Sequence, residues 1–357
     1  MFGESRGLEH ERVVYFRDHA TGVVGIIAIH STALGPAMGG LRLRRYATPA
    51  DACADVLDLA RAMSLKNAAA GLDLGGGKAV LVDDGGWAHP EARAERMRAV
   101  GRVVEELGGR YTTAPDVGTT VEDMRVIATQ TRWVAGLPVD AGGRGDPSPV
   151  TARTVFGAIA SAVRRRLDRP DLAGVRIGVQ GVGHVGASLV GRLVAAGADV
   201  TVTDTDAERV RAVADAHGVR AVEPDGFVAR DLDVLAPCAV GGAITRANAA
   251  SLRCAVVAGA ANNPLEADDV AELLADREIL YVPDFLANCG GIIHVAGEAQ
   301  DLGEDEVERL VLDAVERTDA LLAEALATGR VPLHLALEHA EARIARAASA
   351  GRQRTAV

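Results

Sequence analysis

Residues 175–186 read VRIGVQGVGHVG, a β-branched run closed by Gly181-x-Gly183-x-x-Gly186. Three glycines at this spacing are weak evidence alone. They become specific when a strand precedes them, a helix follows, and a second strand ends in an acid about twenty residues on. All three conditions are met. A strand runs up to Gly181, a helix starts at His184, and DVTVTD (199–204) ends at Asp204, 23 residues after Gly181. Glycines let backbone approach a pyrophosphate, whose charge rests on the helix N-terminus. A carboxylate at Asp204 would hydrogen-bond a ribose 2′-hydroxyl and repel a 2′-phosphate, so the pattern predicts NAD over NADP. Arg209 is the nearby cation that works against that preference.

Working outward, strands and helices alternate on both sides of this motif. A helix is expected over 150–167, a further one from Asp206, and strands over 232–237, 254–261 and 279–287. Such alternation predicts a parallel, doubly wound sheet. Earlier in the chain, RVVYFRDHATGVVGIIAIH (12–30) reads as a β-hairpin. Thr48 and Pro49 open a helix as cap and first residue, and Gly71 stops it. A strand KAVLVDD (78–84), a helix (90–109) and a strand at RYTTAPDVGTT (110–120) running into a loop follow. Residues 137–150, LPVDAGGRGDPSPV, read as a linker, and the last fifty residues as two helices broken at TGRVPLH. The expected fold class is therefore α/β with two domains, an N-terminal α/β substrate domain and a doubly wound Rossmann domain that binds NAD.

With 357 residues and 48% hydrophobic content, the chain has enough material for two cores. Its 38 basic and 49 acidic residues give a net charge of -11, which disfavours nucleic acid and anionic membrane as partners. The start shows no signal-peptide pattern and no apolar run approaches a membrane span, so a cytoplasmic protein is expected. The four cysteines lack CxxC pairing and read as reduced thiols. His334 and His339 are five apart, off the i, i+4 ligand spacing, so no metal is expected.

A nucleotide fold supplies half of a redox site. The other half must hold a substrate, and residues 1–135 offer three polar candidates in Gly-rich or Ala-rich settings: Lys66 in SLKNAAAG, Lys78 in LGGGKAV and Asp116 in TAPDVGTT. LGGGK is not a phosphate loop, because Leu72 and Ala79 stand at two of that pattern's fixed points. A lysine among small apolar neighbours is instead desolvated, which lowers its pKa and suits it to act as a base.

Eight segments, GPAMGGLR, AMSLKNAAAGLDLGGGKAV, TAPDVGTT, GDPSPVTA, GVQGVGHVG, APCAVGGAIT, VAGAANN and NCGGIIHVA, run in order from about residue 30 to 300. Together they resemble the glutamate/leucine/phenylalanine/valine dehydrogenases, and GDPSPVTA is most similar to the leucine and valine branch. The resemblance implies NAD-dependent, reversible oxidative deamination of an L-amino acid to a 2-oxo acid and ammonia, by a homo-oligomer. It implies that Lys66 holds the substrate carboxylate with backbone at Gly39 and Gly40. Lys78 would activate water, and Asp116 would exchange protons with the substrate nitrogen. Thr151 and Asn262 would join Gly181, Gly183, Gly186 and Asp204 around the cofactor. It further implies a substrate domain over 1–137, with a terminal helix 330–357 packing back on it, and a dinucleotide domain over 138–329. One departure stands out: Leu41 follows the paired glycines where the family often has Thr.

The side-chain pocket implied by the same resemblance is lined by Met38, Ala114, Ile292 and Val295. All are apolar and would leave a glutamate γ-carboxylate unpaired. Ala114 and Ile292 shorten the pocket, which favours valine, leucine and isoleucine over phenylalanine. A phenylalanine dehydrogenase and a non-catalytic NAD-binding protein are the alternatives. A 2-hydroxy-acid dehydrogenase would need a His base, and the Gly-rich substrate segments contain none.

Overall fold

The expected hairpin forms: β1 (Arg12–Arg17) pairs antiparallel with β2 (Val24–Ser31). The computed structural model describes residues 9–239 and 241–355, with side chains through residue 350. Next comes β3 (Ala37–Arg44), which the sequence pattern does not announce, because GPAMGGLR is poor in strand-forming residues. Its neighbours enforce it. α1 (Pro49–Ala69) starts as expected, with Thr48 and Asp51 exchanging side-chain and backbone hydrogen bonds at the cap. β4 (Gly75–Val82) begins three residues earlier than expected, so the three glycines lie inside the strand. α2 (Pro90–Glu106), β5 (Tyr111–Pro115) and α3 (Val121–Ala128) complete this part.

These strands form a five-stranded sheet of order β1-β2-β4-β3-β5, in which β3 is parallel to both β4 and β5. α1 covers one face through Ala52, Val56 and Ala60 against Ile26, Ala28 and Val80. The other face carries Leu41, Ala79 and Leu81 against Met97 and Val100 of α2 and Met124 and Ile127 of α3. Both faces are buried, which is why β2 and β4, apart from His30 and Lys78, are apolar or small rather than alternating.

The second sheet is fully parallel. Its elements in chain order are α4 (Ser148–Leu167), β6 (Arg176–Gln180), α5 (His184–Ala195), β7 (Asp199–Thr203), α6 (Ala207–His217), β8 (Arg220–Ala221), β9 (Val234–Pro237), α7 (Arg246–Ala249), β10 (Val256–Val257), α8 (Val270–Asp276), β11 (Leu280–Tyr281) and α9 (Asp284–Ala287). The strand order β11-β10-β9-β6-β7-β8 is that of a dinucleotide-binding fold, with its switch point between β6 and β9. The expected strand over 279–287 is only two residues long. Pro283, which has no N–H to donate, ends it and leads into α9. The expected strand over 254–261 likewise shrinks to β10, and the expected linker holds a 3-10 turn at Val139–Ala141 before α4 begins at Ser148.

Three further helices close the chain: α10 (Gly290–Ala299), α11 (Glu304–Thr328) and α12 (Pro332–Thr355). The described residues group into two compact units. One draws on Met1–Gly145, His294–Gly303 and Ala340–Val357, the other on Asp146–Ile293 and Glu304–His339. Within the first unit, Arg343 of α12 donates to the carbonyls of Ala68 (3.1 Å), Gly71 (3.2 Å) and Leu72 (2.8 Å). A cation thus adds a donor to the carbonyls at and just beyond the C-terminus of α1. Among the described residues, no helix is long and apolar enough to cross a membrane, and no cluster of three or more His, Cys, Asp or Glu could hold a metal ion.

Candidate active site

The site in the first unit is built from the order of its strands. Lys78 on β4 and Asp116 just past β5 lie on strands separated by β3. Two strand spacings are roughly 10 Å, so the pair meets only if the lysine stem lies across β3. Gly40 on β3 makes this possible. A Cβ there would sit 2.7 Å from Asp116 Cβ and 3.2 Å from Lys78 Nζ. With glycine in place, Lys78 Nζ reaches Asp116 Oδ2 at 2.9 Å, and the lysine side chain is 7% exposed against 23% for the aspartate.

Met38, Gly40 and Ala114 share the face that carries Lys78. Met38 is opposite Gly76 and Gly40 opposite Ala114, and both Met38 and Ala114 are buried. On that face α1 approaches the glycines of β4 closely: a Cβ on Gly76 would collide with the backbone nitrogen of Ser64. Asn67 Nδ2 donates to the Gly75 carbonyl at 2.6 Å. Lys66, half-buried, stands between Ser64 and Asn67 in the last turn of α1. Gly39 is pressed against the Gly77 carbonyl and receives the buried Tyr111 hydroxyl on its own carbonyl at 2.8 Å.

Electrostatics follow from this packing. Burial pushes the Lys78 pKa below its ordinary value, a shift that the Asp116 charge opposes without cancelling. For Asp116 burial works upward, but the charges and hydrogen bonds of Lys78 and Arg42 outweigh it, so its carboxyl stays below the usual range. A lysine whose pKa is lowered by burial, beside an ionised carboxylate, gives up and takes back its proton more readily than a free lysine, as a base must.

Arg42, Asp55 and Tyr46 belong to the same cluster and escaped the sequence reading. Arg42 Nε donates to Asp116 Oδ2 at 3.0 Å, its Nη1 contacts both oxygens of Asp55 at 3.2 and 3.3 Å, and the Tyr46 hydroxyl donates to Asp55 at 2.7 Å. The signal was the alternation Leu41-Arg42-Leu43, which sends Arg42 to the opposite face from two core leucines. It is visible only once residues 37–44 are known to be a strand.

In the second unit the glycine turn stands at the carboxyl end of β6. Gly181 has φ +100°, open to glycine, and a Cβ there would lie 2.7 Å from Ala239. A Cβ on Gly186 would meet the Gly181 carbonyl, so that glycine lets helix α5 pack against the turn. A Cβ on Gly183 would meet nothing within 4 Å. Gly183 is the N-cap of α5, so its bare backbone and the helix N-terminus face open space suited to an anionic pyrophosphate. Asp204 accepts from Val182 N at 2.8 Å and Asp206 N at 3.0 Å. Those backbone donors hold its carboxyl below the usual range although burial works upward. Arg209 is ion-paired with Asp206 at 3.0 Å, an i, i+3 contact on α6.

The remaining expected residues are spread over several elements. Thr151 is buried on α4 and donates to the Pro147 carbonyl, and a Cβ on Gly291 of α10 would lie 2.9 Å from its Oγ1. Asn262 is exposed on the loop beyond β10, and Asn288, also unforeseen, donates to its Oδ1 at 2.9 Å. Ile292 and Val295 are half-buried and three apart on α10, on adjacent parts of one helix surface.

Comparison with known proteins places the chain in a family. Residues 10–133 match the family model described as Glu/Leu/Phe/Val dehydrogenase, dimerisation domain, and residues 202–304 match that for Glutamate/Leucine/Phenylalanine/Valine dehydrogenase. A valine dehydrogenase of Streptomyces coelicolor is 44% identical, over 95% of this chain and 93% of that protein. A leucine dehydrogenase of Bacillus subtilis is 40% identical, over 95% of this chain and 92% of that one. Among solved structures, the L-tryptophan dehydrogenase of Nostoc punctiforme superposes with a TM-score of 0.86 at 34% identity, covering 97% of this chain and 99% of the other. The chain belongs to the glutamate/leucine/phenylalanine/valine dehydrogenase family.

Proposed function

We propose that this protein oxidatively deaminates branched-chain L-amino acids with NAD⁺. Amino acid, NAD⁺ and water give 2-oxo acid, NADH, ammonium and a proton. The observation that carries the reading is the Lys78–Asp116 pair at 2.9 Å, its lysine buried, in a chain 40 to 45% identical to valine and leucine dehydrogenases. A bound nicotinamide would supply the hydride acceptor for the substrate Cα, and proton and water handling would fall to this chain. Neutral Lys78 takes a proton from the water that attacks the substrate imine. Asp116 exchanges protons with the substrate nitrogen, and Lys66 holds the α-carboxylate beside the backbone of Gly39 and Gly40. Gly181, Gly183 and Gly186 would hold the cofactor pyrophosphate, Asp204 its ribose, and Thr151 and Asn262 its nicotinamide. The open space at Gly183 supports a dinucleotide there, and the ionised Asp204 supports NAD over NADP.

Met38, Ala114, Ile292 and Val295 line the substrate side chain in this reading, and their apolar character supports an aliphatic substrate. The tryptophan dehydrogenase likeness is what favours a second reading, an aromatic substrate in the same site. The domain that matches residues 10–133 supports a homo-oligomer assembled through it. The test is NADH formation at alkaline pH with L-valine, L-leucine, L-isoleucine, L-phenylalanine, L-tryptophan and L-glutamate in parallel. Valine or leucine should lead and glutamate should be negligible. An aromatic substrate in front would move the assignment to the second reading. No turnover with any of the six would sink the catalytic reading altogether.

A further inference from the structure

We propose that Arg42 is a positioning residue for this reaction, clamping the Asp116 carboxylate by one oxygen so that the other is presented to the substrate nitrogen. The inference rests on the proposed function. Lys78 Nζ and Arg42 Nε converge on the same oxygen, Oδ2, at 2.9 and 3.0 Å. The Arg42 hydrogen bond to this carboxylate uses Oδ2 alone, and Oδ2 is the oxygen nearer Lys78 Nζ. A carboxylate bound by two cations through one oxygen has its rotation fixed, and its second oxygen keeps all its lone pairs for a proton. Arg42 is itself anchored. Its Nη1 lies against both oxygens of Asp55, which also accepts from Tyr46. A guanidinium addresses two carboxylates at once through separate nitrogens in a rigid plane, which a single ammonium does not reproduce. The backbone on the far side is pinned too. Asp116 N donates to Thr119 Oγ1 at 2.9 Å, and that hydroxyl donates to the Leu41 carbonyl at 2.8 Å.

The second effect of Arg42 is electrostatic. Its charge adds to burial in lowering the Lys78 pKa, and to Lys78 in lowering that of Asp116. Titratable or charged groups on elements around the pair include Asp51, Cys53, Asp55, Asp58, Arg61 and Lys66 on α1, His30 on β2, Arg44 on β3, and Tyr46 and Tyr111. Burial holds His30 down at about 4 and both tyrosines above their ordinary range, so these three do not titrate between pH 5 and 9. Loss of the Arg42 charge therefore moves the limb due to Lys78 to higher pH.

The experiment is the pH profile of kcat/KM for L-valine or the best substrate, with kcat and KM taken separately, in wild type, Arg42→Gln and Arg42→Lys. Arg42→Gln should lower kcat by about 10²-fold, the scale of a misplaced reacting group, with KM little changed and the limb displaced to alkaline pH. Arg42→Lys should keep the limb near its wild-type position and lose kcat, because charge is retained without the fork. A wild-type profile and kcat in Arg42→Gln, even with lowered thermal stability, would overturn the proposal and leave the proposed function standing. Should Arg42→Gln fail to fold, Arg42→Lys decides: undiminished kcat there rejects the clamp. An inactive wild type refutes the function on which the proposal rests.

Discussion

A methyl group placed on Gly76 would meet the backbone nitrogen of Ser64, whereas one placed on Gly183 would meet nothing within 4 Å. Both glycines sit in runs that, read as letters, suggest a phosphate cradle. In the first unit the run is an internal packing device. Gly75, Gly76 and Gly77 let β4 lie against the carbonyl of Ser31, helix α1 and the Tyr111 ring. In the second unit Gly183 leaves room for something that is not protein. The difference teaches that a glycine run states only that backbone must come close to something. The Cβ environment tells whether that something is the fold itself or a ligand.

The largest effect expected from breaking this contrast concerns the residue that the first glycine run delivers. Lys78→Ala should lower kcat by about 10²- to 10⁴-fold, the usual contribution of a positioned proton-transfer group, with NAD binding unaffected when followed by nucleotide fluorescence. The wild-type rate of deamination should rise with pH and level off below 10.5, the ordinary lysine value, because burial lowers the Lys78 pKa and the proposed function takes the neutral amine as the active form. The linked stability has a definite sign. The unfolded lysine keeps its proton to higher pH than the folded one, so its burial costs stability below the folded pKa. That cost fades as pH rises toward 10.5. A rate that falls with pH in this range would remove Lys78 from the role of base.

Gly76→Val comes next. It drives a branched side chain into the backbone of α1, and overpacking of this kind costs about 1 to 3 kcal/mol. Urea unfolding should show that loss, with the glycine turn of the second unit still binding nucleotide in the folded fraction. An unchanged midpoint would mean that α1 and β4 are not tightly apposed at Ser64.

The two units were also unequally legible. The dinucleotide half announced itself because its signal is contiguous: strand, three glycines, helix and acid fall within 30 residues and need no tertiary knowledge. The Lys78–Asp116 pair was harder, since the partners are 38 residues apart and meet across an intervening strand. As separate residues they stood out because a lysine among Gly and Ala is chemically odd. Arg42 did not, because an arginine in GGLRLRR reads as one of several surface cations. Only the parallel placement of β3 between β4 and β5, fixed by tertiary packing against weak strand propensity, turns it inward to Asp116. Helix α10 was missed for a similar reason: its opening Gly290 and Gly291 suggest a loop. They are glycines because α4 lies against them, and Gly290 N donates to Thr154 Oγ1 at 3.0 Å.

The smaller effects belong to the second unit, where substitution should alter binding more than folding. Asp204→Asn removes the charge that the proposed function places against a ribose hydroxyl, and charge-assisted hydrogen bonds of this kind are worth about 1.5 to 3 kcal/mol. The preference for NAD⁺ over NADP⁺, measured as a ratio of kcat/KM values, should fall by roughly 10- to 100-fold. A ratio that stays put would shift cofactor discrimination elsewhere, with Arg209 the nearest charged alternative. Gly183→Ala is the finest test of the contrast with Gly76. Its φ of −65° admits any residue, and the added methyl group meets no protein atom, so unfolding should change by no more than about 1 kcal/mol, the loss of glycine at an N-cap. KM for NAD⁺ should rise nonetheless, because the methyl group occupies space where the pyrophosphate would touch backbone. A variant that destabilises the fold as much as Gly76→Val does would erase the distinction between the two glycine runs. One that folds normally but binds cofactor weakly shows that the open face of Gly183 is kept for the ligand.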